Sequence, residues 1–125
     1  MKRIFLSALL CTFAWIAYAQ VIELKYFHGK QRCATCLAIE KHSGELLAGN
    51  YQKEMKQGKI KMTVTDISSD NGKKTERDYK VTWSSLFIVK GNMRKDLTRM
   101  AFQYARKEPE VFKKKLKEEI ESILK

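Results

Sequence analysis

Val21-Ile22-Glu23-Leu24-Lys25-Tyr26-Phe27-His28-Gly29-Lys30-Gln31-Arg32-Cys33-Ala34-Thr35-Cys36 is the stretch on which the reading turns. Ile22 to Phe27 is rich in β-formers and reads as a strand. His28 to Arg32 is a polar loop. From Cys33 the pattern changes to that of a helix: Cys36, Ile39, Leu46 and Leu47 fall on one face, with Ala38 and Tyr51 near it. Gly44 and Gly49 weaken such a helix, so it is expected to be irregular or broken there. Two cysteines therefore stand where a strand hands over to a helix. Unpaired N–H groups and the helix dipole favour a thiolate at such a position. Cys33 is expected at the exposed helix end. Cys36, one turn on, is expected to be more buried and able to reach back.

The rest of the chain supplies further elements. Ile60, Met62 and Val64 alternate up to Asp66, giving a second strand. Ser68 to Gly72 is a loop and Lys73 to Tyr79 a short helix. Leu86-Phe87-Ile88-Val89, within Ser85 to Lys90, reads as a strand buried on both faces. Gly91-Asn92 is a turn, and Arg94 to Thr98 an edge strand returning from it. Met100 to Arg106 is expected as a short helix. Pro109 suits a first helical position, and Phe112, Leu116, Ile120 and Leu124 then recur every four residues. The order β-α-β-α-β-β-α implies an α/β fold with a mixed sheet covered by helices on both faces.

The first residues read as an export signal. Lys2 and Arg3 precede the apolar run Ile4 to Ile16, and Ala17-Tyr18-Ala19 ends it with small residues where a signal peptidase cuts. The run is shorter than the roughly 20 residues that span a bilayer. Cleavage after Ala19 is expected, giving a signal peptide over 1–19 and one domain over 20–125. A lipid anchor on Cys11 is the rival, disfavoured by Leu10 before it. The 125-residue chain less its first 19 leaves 106 residues, enough for one modest core. The expected location is periplasmic or secreted. No stable membrane anchor is expected, and the domain is expected to be a monomer.

Of the net charge of +11, Lys2 and Arg3 carry two, leaving +9 on the mature chain. The positive residues are scattered among acids, as in Lys117-Glu118-Glu119, and no aromatic-basic cluster offers a base-stacking platform. This excludes nucleic acid as the expected partner and makes the charge a solvated face. A disulfide between cysteines three apart closes too small a loop to stabilise the chain much. The pair is placed for chemistry rather than for stapling.

Cys33-Ala34-Thr35-Cys36 in this context resembles the thioredoxin superfamily, specifically an exported bacterial member. Val64-Thr65-Asp66, Asp78-Tyr79-Lys80-Val81 and Leu86 to Asn92 follow in the order and spacing of such chains. The resemblance implies a thioredoxin-like fold, a central mixed sheet of four or five strands flanked by helices. It also implies thiol–disulfide oxidoreduction without a cofactor. Cys33 would be the nucleophile and Cys36 the resolving thiol, and the partners a protein or small-molecule disulfide or dithiol and a separate redox partner. Arg32 would favour the Cys33 thiolate.

Three departures stand out. The family's cis-proline is missing, since Pro109 is the only proline, and Val81 to Leu86 occupy its loop; Ser84 or Ser85 is then expected to face the cysteines. The aromatic residue usual before the first cysteine is replaced by the longer His28 to Arg32 loop. The buried acid that serves the second cysteine has no clear match; Glu23 or Lys25 occupies its region, and Glu40, four residues after Cys36, is either a substitute or a solvated helix residue. Trp83 and Tyr79 either flank the cysteines or pack in the core, whereas Tyr26 and Phe27 are expected in the core. Two other readings remain: a non-catalytic module with a structural disulfide, and a zinc or copper module using His28, Cys33, Cys36 and His42. Nothing in Met55, Met62, Met93 and Met100 forms a methionine-rich copper motif.

Overall fold

The computed structural model describes residues 20–79 and 83–124. The expected signal segment with Cys11, and Val81 and Thr82 of the loop before the apolar strand, lie outside them. The elements are β1 (Ile22–His28), α1 (Ala34–Asn50), α2 (Gln52–Lys56), β2 (Ile60–Asp66), α3 (Asp70–Tyr79), β3 (Ser85–Lys90), β4 (Met93–Asp96), α4 (Thr98–Tyr104) and α5 (Pro109–Leu124). The strands form one sheet in the order β2-β1-β3-β4. β1 runs parallel to β2, with Ile22 opposite Ile60 and His28 opposite Asp66. β3 runs antiparallel to β1, with Leu24 opposite Ile88, and β4 returns antiparallel beside β3. Crossover helices make the first pair parallel. Gly91, at φ 59°, permits the tight turn that makes the last pair antiparallel.

Period-two alternation decides which face each residue serves. Ile22, Leu24 and Tyr26 of β1, Ile60 of β2, and Leu86 and Ile88 of β3 are buried against α1, α4 and α5. α5 begins at Pro109, as its sequence predicts, and presents Phe112, Leu116 and Ile120, all fully buried. Its link to α1 is reinforced at the surface: Lys113 pairs with Glu45 at 2.9 Å, and the Tyr51 hydroxyl donates to Glu121 at 2.7 Å. Burial and the bond to Glu121 both push the Tyr51 phenol up, so it stays a donor.

Two expectations are corrected. α1 passes through Gly44 and Gly49 unbroken and ends only at Asn50; Tyr51, with φ −129° and ψ 24°, separates it from α2. Helical residues outnumber the two glycines, and the buried Ile39, Ser43, Leu46 and Leu47 hold the segment to the sheet. The sheet is also not covered equally on both faces. Leu86 and Ile88 are buried, but Phe87 and Val89 are only half-buried on the opposite side.

Among the described residues α3 meets that side at one end, through an aromatic cluster: Phe27 and Tyr79 centroids lie 5.2 Å apart, and Tyr79 and Phe87 5.6 Å. The Arg94 guanidinium sits 4.1 Å from the centre of the Tyr79 ring. At the other end the face is polar. Glu23 accepts from the Thr63 hydroxyl and pairs with Lys25 and Lys61. Burial would raise the Glu23 carboxyl, but these partners outweigh it and hold it below its ordinary range. Gly72 lets α3 approach β2, since a Cβ there would collide with the Asp66 carbonyl.

Phe112→Ala removes a fully buried aromatic ring between α5 and the sheet, and should cost about 3–5 kcal/mol. Urea unfolding of the oxidised protein measures it; a cost below about 1 kcal/mol would show that α5 is not docked as described.

Candidate functional site

The site is built where β1 ends and α1 begins. Cys33 is the N-cap of α1, with extended backbone at φ −75° and ψ 167°. The three residues that follow turn into the helix, and the Leu37 N–H closes its first backbone bond to the Cys33 carbonyl at 3.0 Å. The Cys36 N–H, one of the helix's otherwise unpaired donors, points at Cys33 Sγ from 3.1 Å. Cys33 and Cys36 are joined as a disulfide, with their Cα atoms 5.0 Å apart. Cys33 is exposed. Cys36 is 4 % exposed and belongs to the main core.

Behind the disulfide lies a partly buried polar cluster. The Tyr26 hydroxyl donates to the Cys36 carbonyl at 2.9 Å. Burial raises the Tyr26 phenol above its ordinary value, outweighing the opposite pull of Ser84 and Arg32, so Tyr26 remains protonated and a donor. Arg32 donates to Glu40 in a close, half-buried ion pair. Ser84 Oγ stands 3.4 Å from Cys36 Sγ, and since a disulfide sulfur carries no proton, the hydroxyl is the donor.

The serine expectation therefore narrows to Ser84. Ser85 opens β3 opposite Phe27, and its hydroxyl donates to the Trp83 carbonyl at 3.1 Å. Among the described residues every peptide bond is trans, those of Ser84 and Ser85 included. Glu40 is neither a free solvated residue nor shown against the Cys36 sulfur; it holds Arg32. Much of the Arg32 charge is accordingly engaged one turn behind the disulfide. Glu23 and Lys25 point to the other face of the sheet and do not reach the cysteines.

The two histidines stand apart from the pair: Nδ1 of His28 lies 2.9 Å from the Gly29 carbonyl, and His42 lies 3.6 Å from Glu45. Among the described residues no group of three or more His, Cys, Asp or Glu is arranged to hold a metal ion. The four-residue zinc or copper set is therefore not assembled.

In front of the disulfide is an open cleft of about 460 Å³. Cys33 and Cys36 line it together with Gln31, Trp83, Ser84, Thr98, Arg99 and Phe102. Trp83 is 71 % exposed and Phe102 40 %. Tyr79, paired with Trp83 in the sequence reading, instead belongs to the aromatic cluster on the far face. Arg99 and Phe102 were not anticipated. They reach the site because α4 folds back beside β3: the Asp96 carboxylate accepts from the Thr98 N–H at 2.9 Å, and the Thr98 hydroxyl accepts from the Leu86 N–H at 3.0 Å. Their signal in the sequence is faint: an exposed i, i+3 pair on a short helix whose inward residue is Ala101.

A four-stranded mixed sheet of order β2-β1-β3-β4, with a C-x-x-C disulfide at the start of the helix after β1, is a thioredoxin-like fold. No family model and no curated protein matches the chain. Among solved structures it is similar to a malarial protein, at 17 % identity over 70 % of this chain and 98 % of the other, with a TM-score of 0.45. It is also similar to thioredoxin-2, described as a component of the malaria parasite protein secretion machinery, at 16 % identity over 68 % and 84 % of the two chains and a TM-score of 0.46. A thioredoxin from Thermus thermophilus is similar at 15 % identity over 66 % and 65 %, with a TM-score of 0.35.

Tyr26→Phe keeps the buried ring and removes only the donor to Cys36. It should cost about 1 kcal/mol in urea unfolding of the oxidised protein. Unchanged stability would mean that the bond contributes nothing to holding the start of α1.

Proposed function

We propose that the chain is an exported thiol–disulfide oxidoreductase whose electrons are carried by Cys33 and Cys36. The observation that carries this reading is the Cys36 N–H directed at the sulfur of an exposed N-cap cysteine. The donor that holds the disulfide sulfur at 3.1 Å would also stabilise a Cys33 thiolate after reduction, and the α1 dipole acts in the same sense.

The reaction needs no cofactor. The Cys33 thiolate attacks one sulfur of a substrate disulfide; that S–S bond breaks and its other sulfur leaves as a thiolate. Cys36 loses its proton to solvent or to a nearby base and attacks Cys33 Sγ. The mixed disulfide breaks, and the second substrate sulfur leaves. The substrate gains two electrons and two protons, and the protein is left with the Cys33–Cys36 disulfide. A dithiol partner reverses these steps. Burial of Cys36 supports this order of attack, because an external disulfide meets the exposed Cys33 first. Ser84 donates to Cys36, while the Arg32–Glu40 pair and Tyr26 position the helix start.

Export to the periplasm or the exterior rests on Lys2 to Ala19 and on the persistence of disulfides in such compartments. The N-terminus of the exported protein should be Gln20; an intact Met1 or Lys2 start outside the cytoplasm would contradict cleavage. For the chemistry, reduced Cys36→Ser treated with glutathione disulfide should release one glutathione thiol and accumulate a mixed disulfide with glutathione at Cys33, located by peptide mapping. Reduced Cys33→Ser should leave Cys36 largely unmodified over the same period. Equal trapping at both positions would refute the assigned roles.

A further inference from the structure

The cleft in front of the disulfide holds more than the exchange chemistry requires. Isolated exposed apolar residues are ordinary on a protein surface. Here two of the largest, Trp83 and Phe102, line the same hollow as the exposed Cys33 sulfur. They come from separate elements, the loop before β3 and the middle of α4. At about 460 Å³ the hollow suits one or two side chains rather than a folded surface.

Its charge is one-sided. Arg99 is exposed and lines the cleft, three residues before Phe102 on α4, and among the described residues no acidic side chain lines it. Among the described residues no ion pair engages Arg99. Arg32, by contrast, is paired with Glu40. An apolar hollow with one unpaired guanidinium at its wall complements an apolar side chain with a neighbouring carboxylate.

We propose that this cleft selects polypeptide disulfides whose reacting cysteine is flanked by an aromatic or large aliphatic residue and by a carboxylate. The proposal rests on the redox reading and names the substrate class of that site. The apolar neighbour lies between Trp83 and Phe102, the carboxylate meets Arg99, and the substrate sulfur is presented to Cys33. Glutathione disulfide offers carboxylates without the apolar side chain and is a poorer fit.

The test uses the reduced full chain and three probes: a disulfide-linked dimer of the peptide Ala-Phe-Cys-Glu-Ala with blocked ends, the corresponding dimer of Ala-Ala-Cys-Lys-Ala, and hydroxyethyl disulfide. Oxidation of Cys33 and Cys36 is followed by quenching and mass analysis. The Phe/Glu peptide should react about 10-fold faster than the Ala/Lys peptide, from one aromatic contact and one exposed charge pair. Trp83→Ala and Phe102→Ala should each lower the Phe/Glu rate about 3-fold or more, and Arg99→Glu should abolish the preference for the acid. Lys114→Glu makes the same change of charge outside the cleft and should leave the preference intact.

Lys114→Glu should react with hydroxyethyl disulfide at the wild-type rate, and each cleft variant's peptide rates are read relative to its own hydroxyethyl disulfide rate. Equal wild-type rates for the two peptides overturn the selectivity, as do variants that slow all three probes alike. A loss of preference in Lys114→Glu equal to that in Arg99→Glu assigns the effect to net charge and also overturns it. If no disulfide reacts, hydroxyethyl disulfide included, the redox reading itself fails.

Discussion

The fold and the site meet in one constraint: Cys33 must be extended while Cys36 is already helical. Only a residue at the N-cap satisfies this, because its backbone belongs to the loop and its side chain faces the first free N–H groups of the helix. Serine, threonine, asparagine or aspartate usually fills such a position with an oxygen acceptor. Here a sulfur fills it, and the Cys36 N–H that would bond a capping oxygen is directed at that sulfur instead. The cap therefore gives up part of a helix-stabilising interaction and sets an exposed sulfur against the free N–H groups of the helix start.

The surroundings keep that geometry in place. β1 is one of the two inner strands, hydrogen-bonded on both sides, so its end is a fixed point from which the loop to Cys33 departs. Tyr26 ties the strand to the first turn of α1 through the Cys36 carbonyl, and Arg32 and Glu40 tie the loop to the second turn. Packing of Ile39, Leu46 and Leu47 against the sheet, with Phe112 and Leu116 of α5 in the same core, keeps α1 from sliding. The buried sulfur of Cys36 is held from inside the fold, and the Cys33 sulfur is left to solvent and to the cleft.

Much of this was legible in the sequence, for physical reasons. Alternation in Ile60 to Asp66, the apolar run at Leu86, and Pro109 ahead of a four-residue repeat each leave little choice of structure. The order of these elements around Cys33 and Cys36 then fixed the fold class. Less legible were features that depend on register between distant segments. The Arg32–Glu40 pair spans the helix cap and corresponds to no helical spacing. The half-open second face follows from α3 having Tyr79 as its only large apolar residue, which was visible but outweighed by the expectation of two covered faces. Gly44 and Gly49 do not break α1 because Ile39, Ser43, Leu46 and Leu47 anchor it in the core, an effect that glycine propensity alone does not contain. Arg99 and Phe102 lay hidden because α4 is short and its return beside β3 is fixed by Asp96 and Thr98 rather than by a hydrophobic stripe.

The central claim is that the cap stabilises one thiolate. It is tested most directly by the pH dependence of alkylation of each cysteine in the reduced protein, read by peptide mapping. The account predicts that Cys33 titrates clearly below the roughly 8.5 of a free cysteine and is modified well before Cys36 near neutral pH. If Cys33 titrates at or above the free value, or the two sulfurs react together, the cap does not perform the chemistry assigned to it.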